Sequence, residues 1–276
     1  MTDKHLSDNL RTWEAWTQIH VGSDFYDVAS FRDERDPIRL RDYEIAEVGP
    51  VAGKSLLHLQ CHFGLDTLSW ARLGAQVTGA DFSPAAIQAA TALADELQIP
   101  ARFVVSSIHD LPRNLDCQFD VVYTSRGVLG WLPNIRIWAD VVAHFVKPGG
   151  TFYITEIHPI AQVLDDELAA TAPGELRLKY PYWEHEQPLT FDVEGSYADR
   201  HAQTDGLVEH GWNHSLGEIL TALIESGLTI EFLHEFDFAE WEIPFLSQGD
   251  DRLWRLPPQA QGQLPLFFSL KATKPF

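Results

Sequence analysis

Gln60-Cys61-His62-Phe63-Gly64 and Asp81 stand where a sheet would meet a ligand, because each closes or follows a short apolar run. Asp81 falls about 20 residues after the first turn, the spacing at which a carboxylate accepts hydrogen bonds from ribose hydroxyls. Gly64 lets the backbone come close to a ligand at the N-terminus of the next helix. The full G-x-G-x-x-G pattern is missing, so the first turn suits a nucleoside without a pyrophosphate better than a dinucleotide. Taken singly, Gly64 reads equally well as a plain turn and Asp81 as the neighbour of a helix cap. Two histidines are placed for proton transfer: His158, just past a strand, and His214, in the Trp212-Asn213-His214 segment before a helix. Their bland alternative is structural, with Asn213 or Ser215 acting as an N-cap. The chain has 12 histidines, and His62, His158, His210 and His214 could converge in space. Gly211 makes a continuous helix between His210 and His214 doubtful, and supporting cysteines are missing, so no metal is expected.

The elements that position these residues alternate. Leu10, Trp13, Trp16 and Ile19 recur at helical spacing within residues 7–20, and residues 37–48 read as a second helix opening with Pro37. From Ser55 the chain reads strand SLLHLQ, helix DTLSWARLG, strand QVTGA, helix Pro84–Leu97, strand ARFVVS, strand FDVVYT, helix Ile135–Phe145 and strand TFYITEI. Strands separated by helices imply a parallel sheet that ends near His158. Residues 160–211 break this rhythm and read as an insertion rich in acids, prolines and aromatics. A helix Leu216–Ser226 and two strands, LTIEFLHEFDF and PLFFSLKAT, complete the pattern as a pair with a long connection. The division expected is a helical cap segment at 1–50 and an α/β domain at 51–276 with a cap insertion at about 160–211.

With 276 residues, 45% hydrophobic and 22% charged, the chain can bury a large core without staples. A formal net charge of -20 opposes binding to a phosphate backbone or an anionic membrane, which leaves small molecules as partners. The two cysteines, Cys61 and Cys117, lack metal spacing and fit a reducing compartment. No apolar h-region or 18-residue apolar run is present, so a cytoplasmic protein is expected. A homodimer joined through an exposed edge strand or the aromatic insertion is compatible with this pattern.

The stretch LLHLQCHFGLDTLSWARLGAQVTGADFSPAAIQAA, followed by FVVSSIHDLP, FDVVYTSRGVLGWLP, VKPGGTFYITEIHP and PLFFSLKATKP, resembles the class I S-adenosylmethionine-dependent methyltransferases across residues 50–276. It looks closest to a bacterial small-molecule branch with an LHLQCHFG first motif. The resemblance implies a Rossmann-like sheet of seven strands with a reversed last strand, and methyl transfer from S-adenosylmethionine to a small molecule. It implies that Gln60, Cys61 and Gly64 pass the methionine part, Asp81 binds the ribose, Phe82 lies beside the adenine, and Ser107 and Ile108 meet its edge. Thr124, Ser125 and Arg126 then line the floor near the methyl donor. The acidic residue common in the family's first strand is His58 here, Gln60 and His62 replace two glycines, and Ser107 replaces an aspartate. Asp66 is the substitute contact for the cofactor's amino group. An aromatic lid should come from Trp13, Trp16, Phe25 and Tyr26 and from Tyr180, Tyr182 and Trp183, although Trp13 and Trp16 also read as plain core packing. Tyr26, Arg126, Trp131 and Asn213 are the substrate-binding candidates, with His158 and His214 as candidate acid and base. Two other readings compete: a nucleotide-binding oxidoreductase, and a binding protein that retained S-adenosylmethionine without turnover.

Overall fold

The computed structural model describes residues 3–166 and 175–276. The chain opens with α1 (Asp3–Gly22), α2 (Val28–Arg32) and α3 (Asp42–Val48). The alternating part follows as β1 (Ser55–Leu59), α4 (Leu65–Arg72), β2 (Gln76–Asp81), α5 (Pro84–Glu96), β3 (Ala101–Val105), α6 (Leu111–Asn114), β4 (Phe119–Ser125), α7 (Ile135–Phe145) and β5 (Val146–Ile157). Then come β6 (Leu189–Val193), β7 (Leu207–Gly211), α8 (Leu216–Glu225), β8 (Thr229–Phe236), the short β9 (Phe238–Ala239), β10 (Ser247–Gln248) and β11 (Trp254–Arg255), and finally β12 (Phe267–Thr273).

Seven strands form one sheet in the order β3-β2-β1-β4-β5-β12-β8. β3 through β5 pair in parallel, whereas β12 is antiparallel to both β5 and β8. The last strand in the chain is therefore the reversed one, inserted between two neighbours. Strands buried on both faces read as continuous apolar runs, and Leu56, Leu57 and Leu59 of β1 are fully buried. Leu57 and Leu59 pack with Trp138 of α7 and Leu223 of α8 on one face. Leu56 packs with Val48 of α3 and Trp70 of α4 on the other. The order reverses at β1 and β4, the place where an open α/β sheet leaves a crevice beyond its strand ends.

Three boundaries differ from the sequence reading. The helix expected to open at Pro37 starts at Asp42, where Glu44 Oε2 accepts the Arg41 N–H at 2.8 Å and so caps the first turn. The Lys147–Gly150 turn lies inside β5 as an irregularity of register, with Gly149 at φ +73°. The proline-rich stretch after β8 folds into a small sheet, β10-β11-β9, over a satellite core of Phe245, Leu256 and Phe267.

Within the expected insertion, β6 and β7 form an antiparallel pair. Its β7 edge docks on α1. Asn9 Nδ2 donates to the His210 carbonyl at 2.9 Å and Asn9 Oδ1 accepts the His210 N–H at 2.8 Å, so one amide side chain imitates a neighbouring strand. Thr12 Oγ1 donates to the Val208 carbonyl at 2.9 Å, and Trp16 Nε1 to the Gly195 carbonyl at 2.8 Å. No helix among the described residues is long and apolar enough to cross a membrane.

Candidate active site

The loop after β1 is shaped by its backbone. Gln60, His62 and Gly64 all have positive φ, of 56°, 50° and 82°. At Gly64 a Cβ would lie 2.9 Å from the Phe103 ring and 3.0 Å from Ala90, so the glycine answers to β3 and α5 as well as to its own φ. Asp81, at the end of β2, holds this loop from below. Its Oδ2 accepts the His62 N–H at 2.8 Å and its Oδ1 accepts the Ser83 N–H at 2.9 Å. Burial raises the carboxyl to about 6, against the pull of those amides. Each oxygen keeps a lone pair for a further donor.

Two concavities meet above this loop. The smaller is apolar, about 60 Å³, and lined by Phe82, Ser107, Ile108, Leu111, Trp131 and Gln60 among others. The larger is a cleft of about 1260 Å³ that continues past Gln60 and Trp131 over Cys61, Gly64, Asp66, Ser125 and Arg126 to Tyr26 and Asn213. Its roof is aromatic. Trp13 stands edge-on to Trp131 at 5.2 Å and to His62 at 5.1 Å between ring centres, and the Tyr26 and Tyr197 hydroxyls meet at 2.5 Å. Trp183, named as a lid residue from sequence, is instead largely exposed.

Burial sets the protonation of the cleft floor. His58 hydrogen-bonds Thr67 Oγ1 at 2.8 Å and Ser125 Oγ at 3.0 Å. Burial and then the Arg126 charge lower it to about 3, so it stays a neutral bridge between β1, α4 and β4. His20 of α1 meets His62 at 2.8 Å, Nδ1 to Nε2, and burial lowers both. Among the buried atoms of this region without a hydrogen-bond partner in the described residues are Gln60 Oε1 and His62 Nδ1, both on the loop, and His20 Nε2 above it. Buried polar atoms in native proteins are nearly always paired, so the two on the loop fit a polar ligand laid along it.

Several candidates take roles other than those expected. Arg126 lines the cleft with its charge shared among carboxylates. It is an ion-pair hub for Glu44, for Asp66 at 3.2 Å and for Glu240, whose Oε2 lies 2.9 Å from Nε but poorly aligned for a hydrogen bond. Tyr123 donates to Glu44 and Tyr43 to Glu240, each at 2.6 Å. Burial raises Glu44 to about 7 despite Arg126. Asp66 is thereby engaged as well, although it still borders the cleft. Neither histidine proposed for acid–base work lines either concavity. His158 is 5% exposed, accepts the Ile160 N–H through Nδ1 at 3.1 Å and places Nε2 2.9 Å from Glu235. His214 Nε2 donates to the Leu132 carbonyl at 2.7 Å, and the neighbouring Ser215 caps α8 with Glu218. Both histidines fasten loops. His210 pairs with Asp8 and Thr190 on the α1 side of β7.

One contributor was not foreseen. Glu156 near the end of β5 is 2% exposed, and its two oxygens accept the N–H groups of Gly127, Val128, Leu129 and Ile157 at 2.6–3.0 Å. It fixes the loop that carries Arg126 and Trp131. A single acid at the mouth of the apolar strand TFYITEI was the available sign.

Residues 57–152 match the family model described as a methyltransferase domain. The chain is 32% identical over 123 residues to a ubiquinone biosynthesis O-methyltransferase of Xanthomonas campestris pv. campestris (strain B100), covering 45% of this chain and 50% of that one. The chain thus spans about half the length of the curated relatives it matches. Its fold is that of the S-adenosylmethionine-dependent methyltransferases. The Mesorhizobium loti member superposes with a TM-score of 0.57 at 21% identity, over 84% of this chain and 96% of that one. The glycopeptide N-methyltransferase MtfA complexed with (S)-adenosyl-L-methionine gives 0.52 at 16% identity, over 84% and 92%.

Proposed function

We propose that this protein transfers a methyl group from S-adenosylmethionine to a small-molecule acceptor. The observation that carries the reading is the pair of joined concavities at the β1/β4 switch, one narrow and apolar, the other wide and roofed by aromatics. In this reading Phe82, Ser107 and Ile108 hold the adenine, Asp81 the ribose, and the Gln60–Gly64 loop, with Asp66 at its edge, the amino-acid end. The bound sulfonium supplies an electrophilic methyl that needs no activation by the protein. The chain's own contribution is to orient the acceptor in line, exclude water and receive a proton. Residues 1–50 and the insertion at about 160–211 serve as the cap that shuts out water, and Tyr26, Trp131 and Asn213 face the acceptor. The relative named above acts as an O-methyltransferase, the superposed structure as an N-methyltransferase, and the acceptor atom here is settled by assay.

The test is isothermal titration with S-adenosylmethionine and S-adenosylhomocysteine, with NADH as control. Micromolar binding of the first two and none of the third is expected. Asp81→Ala should weaken that binding by about 1.5–3 kcal/mol through loss of a charge-assisted acceptor. Binding of NADH in their place overturns the reading, and unchanged affinity in folded Asp81→Ala removes the ribose assignment.

A further inference from the structure

β6 and β7 present alternate residues to opposite sides, as paired strands must. Thr190 and His210 turn toward α1, where His210 meets Asp8. Leu189, Phe191 and Glu209 share the other face and line the cleft, with Phe191 directly opposite Glu209. Tyr180 extends this wall, its ring 5.7 Å from that of Phe191. Glu209 is thus the ionisable side chain of an otherwise apolar face. It makes no hydrogen bond and no ion pair among the described residues. The Arg126 and Arg41 side chains on the opposite wall are taken up by Glu44, Asp66 and Glu240. A carboxylate left unpaired at a half-buried site calls for a cationic or N–H-bearing partner.

We infer that Glu209 binds the ammonium group of an amine acceptor and takes its proton. This rests on the methyl-transfer reading and names its substrate class. An N–H bond of the ammonium breaks, an O–H bond forms on the Glu209 carboxyl, and the freed nitrogen lone pair takes the methyl carbon while the C–S electron pair stays on sulfur. The products are the methylated ammonium, neutral S-adenosylhomocysteine and a protonated Glu209, which returns its proton to solvent. Burial, with the Asp166 charge beside it, raises the Glu209 carboxyl to about 7, which suits a proton acceptor near neutral pH. The Tyr180 hydroxyl donates to Asp166 at 3.1 Å and holds that second charge in place. The aromatic wall adds cation–π attraction for the same ammonium.

The experiment titrates S-adenosylhomocysteine-saturated protein with tyramine and tryptamine, and with their neutral counterparts 4-ethylphenol and 3-ethylindole, in wild type and Glu209→Gln. Binding of at least one amine tenfold tighter than its neutral counterpart is expected, with that preference lost in Glu209→Gln and S-adenosylhomocysteine affinity unchanged. Equal binding of amines and neutral counterparts, or a preference that survives Glu209→Gln, overturns the assignment of Glu209 alone. Failure of wild type to bind S-adenosylhomocysteine overturns the methyl-transfer reading itself, and with it the role of Glu209 as its base.

Discussion

His58 shows how one buried residue writes a pH dependence into the whole chain. The unfolded imidazole titrates near 6.5, whereas the folded one is lowered to about 3. Below pH 6.5 the unfolded state therefore binds a proton that the folded state refuses. The contribution of His58 is intact above pH 6.5 and declines as pH falls toward 3, by about 1.4 kcal/mol per pH unit. Glu44 and Asp81, raised to about 7 and about 6, act in the opposite sense and mask this in the total. The difference between wild type and His58→Gln isolates it. In urea unfolding at pH 7 and at pH 5.5, the advantage of wild type over the variant should shrink by about 1.4 kcal/mol. A difference that does not move with pH would mean that His58 takes up its proton in the folded state as readily as in the unfolded one. Phe82, which follows β2, and Ser107 and Ile108, which follow β3, line the apolar pocket, and it was the family resemblance that singled them out. His158 and His214 lie off both concavities, because position after a strand or before a helix does not say which way a ring turns. Glu209 was silent, since the meaning of a carboxylate on a strand depends on what the other wall leaves unpaired.

At the scale of elements, the tight β1–α4 turn depends on Gly64. Gly64→Ala brings a left-handed φ of 82° together with a Cβ 2.9 Å from Phe103. A loss of about 1–3 kcal/mol is expected, read as a lower urea midpoint at constant slope. Adding Phe103→Leu should recover the steric part only, because the backbone strain persists. Full recovery in the double variant would show that φ costs nothing here. The alternation of periods 2 and 3.6 made β1 through β5 and α4, α5 and α7 readable. The start of α3 was not, because a proline that can open a helix was outweighed by the Arg41–Glu44 cap five residues later. The β9–β11 sheet was hidden for a different reason: two-residue strands carry no period.

For the molecule as a whole, the roof of the cleft depends on α1 meeting β7. Asn9→Ala leaves the His210 N–H and carbonyl without their partner at a buried seam, a cost of about 1–3 kcal/mol. Hydrogen exchange should report it as faster exchange in α1, while amides of β1, β4 and β5 keep their protection. Unchanged exchange in α1 would place the docking energy in its other contacts, the tryptophans, Thr12 with Val208 and Asp8 with His210 among them. The seven strands and the reversed last strand were implied by the family resemblance of the motifs. The seating of α1 on the insertion was not, because no local pattern links residues so far apart.

That distance also sets an order of events during synthesis. Asn9 and His210 are separated by 201 positions. At about 5–20 residues per second, the helix carrying Trp13 and Trp16 waits roughly 10–40 s on the ribosome before its docking strand exists. The β1–β5 sheet is translated within that interval, so the open floor of the cleft precedes its roof. A nascent chain stalled after β5 should therefore carry a formed first-motif loop beneath an α1 that lacks its β7 contacts and is more accessible to protease than in the full chain.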